Sequence, residues 1–215
     1  MTAPAAVLPA PRSGYHRMNA SDRFDAAFFR RYYANPATRV ATREDQARLA
    51  ALIGSVAHYC GFRVKRLLDA GCGVGWLRTP LRRQFKGVEY VGLEVSEYLC
   101  RKHGWVQGSV PGYTDTKGFD LVVCHDVLQY LPDREAARAI TSLAQLSRGL
   151  LYFSVLTAGD WKNNADTSRT DRGVHLRPRD WYEKRLRRHF RHLGFGVYAL
   201  RNYAPLLWEL ETPWK

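Results

Sequence analysis

The chain changes its hydrophobic rhythm near residue 62. Before that point apolar residues recur with helical spacing. The stretch DRFDAAFFRRYYANP reads as a short aromatic helix stopped by Asn35 and Pro36. Thr42, followed by Arg43, Glu44 and Asp45, has the pattern that caps a helix start. The helix it opens carries Leu49, Leu52, Ile53 and Val56 on one stripe and is expected to end near Cys60 and Gly61.

Beyond residue 62, short apolar runs alternate with polar helical stretches, the mark of a parallel sheet with crossover helices. VKRLLDA, EYVGLE, WVQGS, FDLVVCHD and GLLYFSVL read as five strands in order. A helix to about Phe85 follows the first strand, and SEYLCRKHG, capped by Ser96, follows the second. PDREAARAITSLAQLS is an amphipathic helix started by Pro132 and Asp133. Thr157 to Arg177 is polar and aperiodic. RPRDWYEKRLRRHFRHLG returns to helix, with Tyr182, Leu186, Phe190 and Leu193 on one face. FGVYALR and PLLWELE, separated by Asn202 to Ala204, read as a closing antiparallel hairpin. The expected organisation is a mobile tail over 1–22, an N-terminal helical lid over 23–61, and one α/β domain over 62–215.

Composition adds less than pattern does. A hydrophobic content of 46% suffices for a core in 215 residues. The opening segment has Pro4, Pro9 and Pro11 but no uninterrupted apolar run, so it is not read as a signal peptide. No apolar run approaches the roughly 18 residues a membrane span needs. Cys60, Cys72, Cys100 and Cys124 form no C-x-x-C pair, which favours a reduced, cytoplasmic chain without a metal site. The net charge of +13 is the unusual global feature. It favours an acidic acceptor or partner and keeps nucleic acid open. The sequence carries no signal for an oligomeric state.

The chemistry concentrates in LLDAGCGVGWL, Leu67 to Leu77. A strand entering a glycine-rich loop and then a helix presents backbone N–H groups suited to an anion. No Gly-Lys-Ser/Thr closes the loop, so it is not a nucleotide-triphosphate loop. The dinucleotide pattern fits poorly, because Gly75 comes one place early and Trp76 stands at the sixth position. Asp69 would repel a pyrophosphate but attract an ammonium or sulfonium group. Glu94 ends the next strand, 23 positions after Gly71, where a carboxylate accepts ribose hydroxyls. The two acids and the glycine spacing together point to S-adenosyl-L-methionine.

These segments resemble the class I S-adenosylmethionine-dependent methyltransferases of the small-molecule type, from about Val64 to Glu211. The resemblance implies a Rossmann-like, seven-stranded, mostly parallel sheet with helices on both faces and a C-terminal antiparallel hairpin. LLDAGCGVG resembles the first motif, which assigns Asp69, Gly71, Cys72 and Gly73 to the cofactor, with the Cys72 thiol read as a packing group. VGLEVSE resembles the second, so Glu94 would take the ribose. WVQGSV resembles the adenine segment, placing Gly108 and Ser109 there, although the usual aspartate is Ser109 here. FDLVVCHDVLQYLPD resembles the fourth-strand motif, which sets His125 and Asp126 beside the methionine moiety; Tyr130 stands where many relatives carry histidine. N-terminal helices of relatives often close over the cofactor, and Arg39 is the candidate partner for its carboxylate.

An oxygen or nitrogen acceptor must lose a proton, and a positioned base contributes about 10²–10⁴-fold. His125, Asp126, Tyr130 and His175 are the candidates; His175 lies after strand five, a segment that often walls the acceptor pocket in this family. Two other readings stay open: a nucleic-acid-modifying methyltransferase, and a cofactor-binding protein without transfer activity. HDVLQY replaces the D/N/S-P-P-Y/F of many nucleic-acid N-methyltransferases, and no Pro-Cys nucleophile follows strand four.

Overall fold

The computed structural model describes residues 23–203 together with Leu207, Trp208 and Glu211. The tail expected over 1–22 and most of PLLWELE lie outside the described residues. Among the described residues seven strands form one sheet: β1 (Arg66–Ala70), β2 (Glu89–Glu94), β3 (Val106–Gln107), β4 (Phe119–His125), β5 (Ser147–Ser154), β6 (Phe190–Gly194) and β7 (Val197–Leu200). Their order is β3-β2-β1-β4-β5-β7-β6, parallel except where β7 meets its two neighbours.

The central strands alternate cleanly between two faces, because successive side chains in a strand point to opposite sides. Leu68, Val122, Cys124, Leu151 and Phe153 enter one core layer. Leu67, Leu121, Val123, Leu150 and Tyr152 enter the other. Helices on both sides bury these runs, which is why they read as nearly continuous apolar segments. The first layer is covered by α5 (Asp133–Leu146) and α7 (Arg179–Leu186), through Ile140, Leu143, Tyr182 and Leu186. The second is covered by α2 (Arg43–Tyr59) and α3 (Arg78–Gln84), through Ile53, Ala57 and Leu81.

Helix α2 begins at the expected capping box. Thr42 Oγ1 accepts the Asp45 N–H at 3.1 Å, and Asp45 returns the contact to the Thr42 N–H at 2.8 Å. Its most buried face is Ala50, Ile53, Gly54 and Ala57 rather than the leucine stripe. Small residues let the helix approach closely; a Cβ on Gly54 would stand 2.5 Å from the Gln84 side chain of α3.

The C-terminal third departs from expectation. The helix expected to run to Gly194 ends at Leu186, and Phe190–Gly194 is strand β6. The hairpin is therefore β6–β7, turning through Phe195 (φ 48°) and Gly196 (φ 76°). Two consecutive residues with positive φ suit the tight turns that match strand twist. The third strand is shorter than expected, two residues only.

Strand order reverses between β1 and β4, each of which leads to a different side of the sheet. Such a switch point opens a crevice at the carboxyl ends of the strands. The ends of β1 and β4 carry Asp69 and His125, so topology alone brings these two motifs together.

Candidate active site

The loop after β1 is built from glycines that serve different neighbours. Gly71 has φ 79°, and a Cβ there would lie 2.4 Å from Val127 Cγ2 in the turn after β4. Gly75 makes room for Trp105, whose ring would stand 2.5 Å from an added Cβ. The Trp105 indole N–H in turn donates to the Gly73 carbonyl at 3.0 Å. Sequence reading missed Trp105 and Gly92, where a Cβ would meet both Trp105 and Cys72 Sγ. A glycine inside a buried strand next to a cysteine loop was the available signal.

The loop amides are not a free anion cradle. Gly71 and Cys72 both donate to the Leu93 carbonyl, and Gly73 donates to Glu94 Oε2 at 2.8 Å. Glu94 Oε1 accepts the N–H groups of Val95 and Ser96. The Glu94 carboxylate thus ties the loop to the end of β2 while lining the crevice. Burial raises its pKa, and the hydrogen bonds from Ser96, Gly73 and Val95 pull the other way.

Asp69 is 2% exposed and accepts the Tyr90 hydroxyl at 2.5 Å. Burial raises its pKa to about 7, with the nearby Glu94 charge adding to the rise and the Tyr90 hydrogen bond opposing it. Two buried carboxylates so close to one another form a site that gains from a cation. Burial keeps the Cys72 thiol protonated well above its ordinary range.

Two adjoining cavities fill the crevice. The first, a cavity of about 110 Å³, is lined by Gly71, Gly73, Glu94, Gly108, Ser109 and the aromatic residues Phe24, Phe28 and Tyr33, among others. The second opens toward Asp69, Cys72, Gln46, Trp76, Gln129 and Tyr152. His125, Asp126 and Tyr130 line both and mark the junction.

At that junction His125 is held by its strand partner. Its Nδ1 lies 2.6 Å from Ser154 Oγ. Gln46 Nε2 stands 3.4 Å from His125 Nε2, and Asp126 Oδ2 is 3.6 Å from it. Asp126 has φ 56°, an uncommon backbone state for a non-glycine residue and one often found at working sites. Tyr130 packs edge-on against Phe24, with ring centroids 5.1 Å apart, and the Arg23 guanidinium lies over its ring. Burial pushes the Tyr130 phenol far up, so it stays protonated and acts as a donor at most.

Of the residues expected from sequence, Asp69, Gly71, Cys72, Gly73, Glu94, Gly108, Ser109, His125, Asp126 and Tyr130 meet in the two cavities. Arg39 and His175 line neither. Arg39 sits in the turn after the first helix, its N–H bonded to the Asn35 carbonyl. His175 is exposed, and its backbone N–H donates to the Gln129 carbonyl at 2.7 Å. The basic lining expected for an acidic acceptor is also missing: no Lys or Arg lines either cavity among the described residues. Gln46, Tyr90, Gln129 and Ser154 were not foreseen, because each reaches the site through tertiary packing rather than through a local motif. No cluster of His, Cys, Asp and Glu suited to a metal occurs among the described residues.

A sheet of this order, with a glycine turn and two strand-end carboxylates at its switch point, defines the Rossmann-like fold of class I methyltransferases. Comparison with known proteins agrees. The family described as "Methyltransferase domain" matches residues 41–201, and the chain belongs to it. A ubiquinone biosynthesis O-methyltransferase from Azoarcus sp. (strain BH72) is 29% identical over 113 residues, covering 46% of this chain and 47% of that protein. The chain thus matches about half the length of that curated relative. Magnesium protoporphyrin IX methyltransferase from Synechocystis PCC 6803, solved with bound SAH, superposes with a TM-score of 0.58 at 21% identity, covering 84% of this chain and 95% of that one. The N-methyltransferase NodS from Bradyrhizobium japonicum WM9, in complex with S-adenosyl-L-homocysteine, gives 0.60 at 15% identity, covering 86% and 100%. These structural likenesses establish the shared fold.

Proposed function

We propose that the protein transfers a methyl group from S-adenosyl-L-methionine to an oxygen or nitrogen of a small-molecule acceptor. The observation that carries this reading is the buried Asp69–Glu94 pair beside the Gly71–Gly73 loop. Asp69, in the adjoining second cavity, suits the ammonium of the donor, while Glu94 suits the ribose hydroxyls and Gly108 and Ser109 the adenine side of the first cavity. When bound, the donor supplies a methyl group already activated on a sulfonium.

The chain's own part is to position, exclude water and take a proton. Phe24, Phe28, Phe29 and Tyr33 cover the first cavity, which supports the reading of 23–61 as a lid. His125 is the base we favour over Asp126, Tyr130 and His175. Ser154 Oγ accepts its Nδ1–H and leaves Nε2 as the acceptor at the junction. Four free cysteine thiols support a reducing, cytoplasmic setting. The relatives' acceptors range from a ubiquinone precursor pathway to a porphyrin, by their names, and supply no single substrate class for this chain.

Calorimetry with S-adenosyl-L-homocysteine tests the donor assignment: one site per chain is expected, and absence of binding overturns it. Nucleic-acid modification keeps support from one observation, a surface groove lined by Arg134, Arg138, Arg185 and Arg188 between α5 and α7. Binding of tRNA that falls steeply with salt and is lost on Arg138→Glu and Arg188→Glu would favour it.

A further inference from the structure

The chain carries a net charge of +13, yet its second cavity is lined by four carboxylates and neither Lys nor Arg among the described residues. Three arginines next to this lobe are engaged outside its lining. Arg48 binds Asp45 at 2.6 Å, Arg23 binds Asp171 at 2.7 Å, and Arg43 lies over the Trp76 ring. Those pairs neutralise Asp45 and Asp171. Asp69 is set aside for the donor's ammonium. Asp126 remains, its side chain 54% exposed at the junction, with His125 Nε2 3.6 Å away.

The wall around Asp126 is aromatic. Phe28, Tyr32, Tyr33, Trp76, Tyr130 and Tyr152 all line this lobe. Aromatic faces attract cations, most strongly where water is excluded. A carboxylate or phosphate entering here would meet ring faces and Asp126 with no lining cation to offset its desolvation.

Gln129 supplies the second observation. It is 4% exposed, lines the lobe, and its side-chain carbonyl Oε1 is buried without a hydrogen-bond partner. Buried polar atoms are nearly always paired, and leaving one unpaired is costly. Its main chain is fixed by the His175 N–H; Oε1 itself is closed to the lobe, and a turn of the side-chain amide would present it there to a donor.

We propose that the second lobe binds an acceptor bearing an amine, protonated when free, whose charge faces Asp126 and the aromatic wall and which donates a hydrogen bond to Gln129 Oε1; carboxylate and phosphate acceptors are rejected. This rests on the methyl-transfer reading and names its substrate class. It reverses the expectation of an acidic acceptor drawn from net charge, because the positive charge lies elsewhere on the surface.

The test uses the full chain saturated with S-adenosyl-L-homocysteine and three probes of one framework, tyramine, 4-ethylphenol and 4-hydroxyphenylacetate, followed by calorimetry. Tyramine is expected to bind at least about tenfold more tightly than 4-hydroxyphenylacetate, with 4-ethylphenol between. Asp126→Asn should erase most of the preference for the ammonium. Gln129→Leu should weaken tyramine about tenfold. Both variants must retain wild-type circular dichroism, and Gln129→Met serves as a second, volume-matched substitution. Equal or tighter binding of the carboxylate overturns the inference, as does failure of all three probes on protein that holds S-adenosyl-L-homocysteine. Failure of S-adenosyl-L-homocysteine itself to bind overturns the donor reading and this inference with it.

Discussion

His125 and Ser154 are partners across the β4–β5 ladder, and their side chains meet at 2.6 Å between Nδ1 and Oγ. Parallel register thus sets the imidazole at the junction of the two cavities. On the other edge of the ring Gln46 Nε2, an amide donor, stands 3.4 Å from Nε2, so Nε2 accepts and the histidine proton lies on Nδ1, facing Ser154 Oγ. Nitrogen-15 spectra of the wild type should therefore show the Nδ1-protonated tautomer. Ser154→Ala should release it toward a mixture while leaving S-adenosyl-L-homocysteine affinity unchanged. A wild type protonated on Nε2 would remove His125 as the proton acceptor.

Asp69 makes stability depend on pH. Its folded pKa is raised to about 7, whereas an unperturbed aspartate ionises near about 3.9. Between those values the folded chain holds a proton that the unfolded chain has lost, so stability falls as pH rises and the loss is complete above about 7. Asp69→Asn removes that cost. In urea denaturation the variant should gain on wild type by about 2 kcal/mol between pH 5 and pH 8. A pH-independent gap would show that the carboxyl is ionised normally in the fold.

Gly71 is closed to any side chain by two independent constraints, its φ of 79° and the 2.4 Å approach to Val127. Gly71→Ala should cost on the order of 1–3 kcal/mol and displace the turn that carries Asp126. Val127→Ala in the same chain relieves the clash but not the backbone strain, so it should recover part of the loss. Full recovery would show that φ contributes nothing.

Arg177, 3% exposed, pins the segment after β5 to the turn after β4. Its guanidinium donates to the carbonyls of Leu128, Leu131 and His175, to the Tyr182 hydroxyl at 2.9 Å, and to Asp133 at 2.8 Å. Arg177→Met leaves several buried acceptors unpaired and should destabilise the fold by about 3 kcal/mol or more. It should also loosen the turn that presents Gln129, seen as faster amide exchange at Leu128 to Leu131. A variant within about 0.5 kcal/mol of wild type would contradict this, since that is the range of ordinary surface changes.

The legible part of the sequence was the part written in local pattern. EYVGLE is β2 residue for residue, and FDLVVCHD overshoots β4 by one position. These strands are buried on both faces, so their apolar runs have sharp ends. The segment 177–194 misled because Tyr182, Leu186, Phe190 and Leu193 happen to fit helical spacing. Phe190 to Gly194 is strand only because it pairs at the sheet edge with β7, and the Gly-Phe-Gly that turns the hairpin was the overlooked cue. In the site, Asp69 and Glu94 were readable because each ends a strand beside a glycine loop. Gln129 and Ser154 were not, since their roles depend on which neighbour faces them. Net charge told least, because it sums over a surface, whereas no Lys or Arg lines either cavity among the described residues.

A buried pair of acids at the switch point should prefer a nucleoside carrying an ammonium group. Calorimetric titration of wild type and Asp69→Asn with S-adenosyl-L-homocysteine and with NADH, at pH 6 and pH 8, measures this directly. Expected are binding of S-adenosyl-L-homocysteine that tightens about tenfold from pH 6 to pH 8 in wild type, loss of that pH dependence in Asp69→Asn, and no binding of NADH. Binding of NADH with none of S-adenosyl-L-homocysteine would contradict it.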